Sequence, residues 1–218
     1  MECRASELGE DVDVYVAQAV AARMISDAER ADKAAAEVLT VRITQSGLSG
    51  ETVSDGIGSV LAGVRRLHAL NASGLMDTAP DDLYSRVTRT AADALGAPAA
   101  ALVWVGADRQ SVRSAYGVDL ASPPIHLTNL AESFDKYVVV NGSAVNVDDA
   151  RRHPLFKKYS VVGEGSVVAY LGMPLADGAG NTVGALNVFD GVPRKWSPGH
   201  LQILSDLAGV AAARMFSA

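Results

Sequence analysis

The 218-residue sequence has a single cysteine, 6 % aromatic residues, and fewer basic than acidic side chains. Each shortage excludes something. One thiol, Cys3, cannot make a disulfide framework within the chain or a cysteine metal cluster, and near a chain end it reads as incidental. No apolar run is long enough to span a bilayer, and the acidic start MECRASELGEDVDV has no secretory core, so a cytoplasmic protein with no membrane partner is expected. Residues 1–56 carry eleven acids against five bases, while 57–218 carry fourteen of each. The formal charge of −6 therefore belongs to the N-terminal arm, and no basic surface is left for a nucleic acid backbone. There is no G-x-S-x-G, P-loop, H-E-x-x-H or dinucleotide fingerprint, so no enzyme activity, cofactor or metal is expected.

What is present is 49 % hydrophobic residues and enough length for one good core with an added segment. The organising stretch is VVAYLGMPLADGAGNTVGALNVFD, 167–190. Two apolar runs flank Asp177-Gly178-Ala179-Gly180-Asn181, a cluster suited to a reversal. Both runs are apolar on both alternating sets: Tyr170 opposes Leu171, Met173 and Leu175, and Leu186 and Val188 oppose Ala185 and Phe189. A strand with no polar face is covered on both sides. The hairpin is thus expected at the centre of a sandwiched sheet.

Before it, residues 11–39 show an Ala-rich helical stripe and 44–56 a Gly- and hydroxyl-rich linker, giving a helical arm at 1–56 and a domain at 57–218. Ile57, Val60, Leu61, Val64, Leu67 and Leu70 predict a helix. Leu83, Val87, Ala91, Ala94 and Leu95 predict another, stopped by Gly96 and Pro98. Ala99–Val105 reads as a buried strand. Gln110–Tyr116 is its partner, with Val112, Ser114 and Tyr116 on one side. Asn129 is expected to cap one short helix carrying Phe134, Asp135 and Val138 and ending at Gly142. A brief strand ends at Val147, the loop Asp148–Phe156 follows, and Ser197-Pro198 opens the last helix, with Leu201, Leu204, Ala208, Ala211 and Met215 inward. This is an α+β plan, an antiparallel sheet with long helices on one face and short elements on the other.

Three segments in order, LHALNASGLMDTAPDDLYSRVTRTAADALGAPAAALVWV, VNVDDARRHPLFKKY and YLGMPLADGAGNTVGALNVFD with WSPGHLQILSDLA after it, resemble the GAF family of small-molecule sensor domains, over about 64–217. The resemblance implies a GAF/PAS-like fold with N- and C-terminal helices packed behind the sheet, a homodimer through those helices, and an unidentified small-molecule ligand under the opposite cover. It implies a lining of Trp104, Tyr116, Phe134, Asp135, Val138, Val147, Asp149, Tyr170, Met173, Asn187 and Phe189. Signalling would pass to a downstream partner protein. Relatives that reduce free methionine sulfoxide or attach a bilin use domain cysteines, which 57–218 does not have. His126 and His153, in irregular segments, read as solvated side chains rather than haem ligands. A ligand-free interaction module, its pocket filled by its own side chains, is the alternative.

Three of the polar residues have two readings. Asp149 at the head of a turn reads as an acceptor for backbone amides. Asp135 reads equally as a ligand contact or a structural acid. Asn187 needs a partner in an apolar strand, a loop carbonyl or a ligand.

Overall fold

The computed structural model describes residues 57–58, 60–72, 82–119 and 125–216. The chain divides into two units, Met1–Ser59 and Val60–Ala218, and the second holds the sheet. The helical arm expected over 1–56 lies outside the described residues.

Helix α1 is Val64–Ala72, α2 Asp82–Leu95, β1 Ala99–Val105 and β2 Gln110–Tyr116. A four-residue turn of helix, α3 (Ile125–Thr128), precedes α4 (Asp135–Asn141), β3 (Val145–Val147) and α5 (Ser160–Gly163). The long hairpin β4 (Ala169–Ala176) and β5 (Thr182–Asp190) follows, then α6 (Pro198–Phe216). The strands form one antiparallel sheet in the order β2-β1-β5-β4-β3, with β5 in the middle. The expected central hairpin is there. Asp177 holds its loop by accepting the Ala179 and Asn181 amides at Oδ1, and Gly180 takes a φ of 82° that a side chain would resist.

One face of the sheet carries the helices. Leu102 and Trp104 of β1, Leu171, Met173 and Leu175 of β4, and Leu186 and Val188 of β5 share a core with Tyr84, Val87, Ala91 and Leu95 of α2. Helix α6 adds Leu204, Ala208, Ala211 and Met215, spaced at alternate four and three residues as one helical stripe must be. Ala94, expected inward, is exposed; Thr88 is buried in the inner face instead and its hydroxyl meets Ser114 Oγ at 2.9 Å. A bulge opposite Leu102 and Val103 breaks the alternation of β2. Ser114 therefore pairs with Leu102 of the helix face while Val112 pairs with Val103, and the single side expected for Val112, Ser114 and Tyr116 does not exist.

Arg66 of α1 is buried with no carboxylate partner among the described residues. Its guanidinium donates to the carbonyls of Val105 and Leu61, tying the helix to the end of β1, and burial lowers its pKa.

Candidate functional site

The second face of the sheet is roofed by α4 and the segment from Ala150 to Gly163. The roof is built from short pieces because its caps are local. Asn129 Oδ1 accepts the Ala131 amide and starts only one 3-10 turn, Leu130–Glu132. Ser133 Oγ then accepts the Lys136 amide as α4 begins, so the single helix expected here is two elements. Gly142, at φ 58°, ends α4 as expected. A second 3-10 turn starts at Asp149, whose Oδ1 accepts the Arg151 amide at 3.2 Å and whose carboxylate pairs with the Arg151 guanidinium. That hydrogen bonding, chiefly from Arg151, keeps the Asp149 pKa low. Asp149 is a turn residue, facing an open surface groove of about 330 Å³ with Asn146, Asp148 and Arg152.

Between roof and sheet the space is filled by rings. Phe134 stacks on Tyr170 at 4.9 Å between centroids, lies 4.4 Å from Phe156, and meets Tyr159 edge-on at 5.4 Å. All four are buried. His153 accepts the Leu155 and Phe156 amides at Nδ1 and stacks on Phe156, and burial lowers its pKa; it is a loop clamp. The side chain of His126 lies outside the described residues.

Inside this apolar layer is a polar cluster. Asp135, at the start of α4, has no solvent exposure. Its Oδ1 accepts two hydrogen bonds of 2.7 Å, from Tyr170 Oη and from Asn187 Nδ2. The partner of Asn187 is thus a carboxylate, not a loop carbonyl. Asp135 Oδ2 and Asn187 Oδ1 are buried with no hydrogen-bond partner among the described residues. Gly172, paired with Asn187 across β4 and β5, is what lets the cluster close: the Tyr170 hydroxyl and Val138 lie directly over its Cα.

Burial raises the Asp135 pKa to about 6, partly offset by the donors Tyr170 and Asn187. Burial, and then the Asp135 charge, push the Tyr170 phenol well up. Beside them Lys136 gives its ammonium to the Ala131 carbonyl at 2.7 Å and sits over the Tyr137 and Tyr159 rings; burial brings it down to about 8 against the opposing pull of Glu132.

An acid whose folded pKa lies above its unfolded value of about 3.9 stabilises the fold at low pH. That stability is full below about 4 and is lost as pH rises through about 6. The difference amounts to at most about 3 kcal/mol between pH 4 and pH 8. Asp135→Asn should remove this slope and be the more stable chain at pH 8. Urea midpoints of both chains across that range test it, and parallel pH profiles would show that the carboxyl is not buried as described.

Of the expected lining, Phe134, Asp135, Val138, Tyr170, Asn187 and Phe189 come together under the roof. Val147 pairs with Tyr170 at the edge of the same side. Trp104, Tyr116 and Met173 do not belong to it: Trp104 meets Tyr84 at 6.1 Å on the helix face, Met173 is in the helix-side core, and Tyr116 packs against that core beneath the Arg89 guanidinium. Phe156 and Tyr159 complete the ring cluster and were not expected. Aromatics inside the charged loop RRHPLFKKY were the available signal, since large rings seldom stay exposed among lysines.

Residues 79–215 match the family model described as GAF domain. No curated protein matches the chain in sequence. Among solved structures, the GAF domain of the Acinetobacter phosphoenolpyruvate-protein phosphotransferase is similar, with a TM-score of 0.51 at 17 % identity over 69 % of this chain and 92 % of that one. A domain of a sensor histidine kinase protein from Sinorhizobium meliloti 1021 gives 0.50 at 15 % identity over 65 % and 94 %. Free methionine-R-sulfoxide reductase from Neisseria meningitidis gives 0.49 at 16 % identity over 84 % and 90 %. At these identities the likeness to the first two is one of fold.

Proposed function

Given that the chain belongs to the GAF domain family, we propose that it is a non-catalytic sensory or regulatory domain of the cytoplasm. In this reading a small ligand is taken up between roof and sheet, at Asp135, Tyr170 and Asn187, and two copies associate through their helices and act on a downstream partner protein. The supporting observation is the polar cluster itself. A fully buried carboxylate oxygen and amide oxygen, each without a donor among the described residues, cost the fold free energy and suit a bound group that supplies donors. With Cys3 as the one thiol, the chain has no cysteine pair for thiol chemistry. Among the described residues no helix is long and apolar enough to cross a membrane.

A ligand-free interaction module is the second reading, favoured by the rings that already occupy the space under the roof. Both readings use the helices. Ile203 and Val210, seven residues apart on α6, are exposed, as are Val64 at the start of α1 and Val60 four residues before it. Apolar residues two turns apart in water suit a helix partner. Native mass spectrometry of the freshly purified chain, with its absorption spectrum, should find a dimer carrying a small molecule. The double variant Ile203→Glu/Val210→Glu should run as a monomer with its melting temperature little changed. A wild-type chain that stays monomeric at high concentration removes the dimer, and a dimer with nothing bound favours the second reading.

A further inference from the structure

The cluster at Asp135 also constrains what could bind it. Both vacant polar atoms are acceptors: Asp135 Oδ2 and Asn187 Oδ1, on side chains with no solvent exposure. Tyr170 Oη and one N–H of Asn187 Nδ2 donate to Asp135 Oδ1. Neither recorded ion pair among the described residues involves Asp135, and neighbouring Lys136 directs its ammonium to the Ala131 carbonyl. Phe134 and Tyr170 stack on each other beside the cluster, with a centroid separation of 4.9 Å.

An anion is repelled by such a site. A neutral donor satisfies the acceptors and leaves the charge uncompensated. A proton on Oδ2 removes the charge and can serve Asn187 Oδ1 as its donor, and it is the competitor of any cation below about pH 6. Above that pH a cation with two or more N–H groups answers both acceptors and the charge.

We propose that Asp135 Oδ2 and Asn187 Oδ1 receive a small organic cation bearing paired N–H donors, an ammonium or amidinium, beside the stacked rings of Phe134 and Tyr170. This rests on the reading that the roofed side takes a ligand. Phe134 and Asp135 belong to the roof and Tyr170 and Asn187 to the sheet, so a cation held by Asp135 Oδ2 and Asn187 Oδ1 bridges roof and sheet. Binding of the cation requires the ionised carboxylate, and so it releases a proton wherever that group is protonated in the free protein.

The probes are three molecules of one shape and different charge: acetamidinium, acetamide and acetate. Each is titrated into the full chain while the side-chain amide signals of Asn187 are followed by NMR. Acetamidinium should shift them saturably and bind at least about tenfold more tightly than acetamide, the increment of a charge-assisted hydrogen bond, while acetate has no effect. Its affinity should weaken as pH falls below about 6. Asp135→Asn, which keeps the shape, should weaken it by about 10- to 100-fold.

Equal responses to the three probes, affinity indifferent to Asp135→Asn, or no response to acetamidinium at the Asn187 amide overturn the proposal. Because the charge series is read on the unaltered chain, a variant that fails to fold does not shield it. Tighter binding of acetamide or acetate at Asn187 overturns the cationic class and leaves the ligand reading standing. Silence to all three, with nothing retained in native mass spectrometry, overturns both.

Discussion

Gly184→Ala is expected to unfold the domain or to lower its stability by at least about 3 kcal/mol, beyond the usual overpacking cost. Gly184 stands in β5 opposite Trp104 of β1 and Leu175 of β4. A methyl group there would overlap the Val103 carbonyl oxygen and stand 2.6 Å from Trp104 Cε3. Neither neighbour can yield cheaply. The carbonyl is backbone in the centre of the sheet, and moving it breaks the β1–β5 pairing. The indole has no solvent exposure and is braced edge-on by Tyr84. Glycine is here because Cε3 and Cζ3 of the indole occupy the space a Cβ would fill, not because a turn is needed. Chemical denaturation of the purified variant, or its absence from the soluble fraction, is the readout. A midpoint within about 0.5 kcal/mol of the parent would mean that β1 and β5 are not in this register.

Gly172→Ala is expected to cost about 3–5 kcal/mol, from overpacking together with loss of a hydrogen bond to a charged group. The added methyl would stand 2.8 Å from both Tyr170 Cζ and Val138 Cγ2, and would overlap the Tyr170 hydroxyl. Tyr170 cannot turn away freely, since Phe134 is stacked on it. Displacing it removes one of the two donors at Asp135 Oδ1, which leaves a buried carboxylate with only Asn187. The variant should therefore differ from Gly184→Ala in its pH response. Its deficit should be largest at pH 8, where the carboxyl is ionised, and smaller near pH 5, where protonation relieves the lost donor. Urea midpoints at the two pH values measure this. A deficit independent of pH would show that the methyl acts by crowding alone.

Period-two apolar runs on both sets of 167–190, with a Gly- and Asn-rich cluster between them, were sufficient to place a doubly covered antiparallel hairpin at the centre of an α+β domain. The same was true of α2 and α6, whose stripes are long and regular. Which side of the sheet each residue faces was legible only as two opposed sets. A strand apolar on both faces does not say which set meets the helices. Trp104 was accordingly expected under the roof and is found behind the sheet, and so is Met173, which the resemblance put in the lining although it opposes Tyr170 along β4. Tyr116 went the same way, and the alternation in β2 failed at a bulge that no residue type announced.

Local chemistry, by contrast, is settled by neighbours in the chain. Asp149 as a turn acceptor, Gly142 as a helix stop and Asp177 as the clasp of the hairpin loop all follow from contacts within a few residues. The Asp135 cluster does not. Its members come from α4, β4 and β5, 35 and 52 residues apart, and each alone is an ordinary residue. Their meeting depends on a bare Cα at Gly172 and on rings that shut water out, which raises the Asp135 pKa and makes two vacant oxygens costly. Burial and desolvation are properties of the packed assembly, so the sequence by itself determined the layers, and only the tertiary structure decided where charge is held inside them.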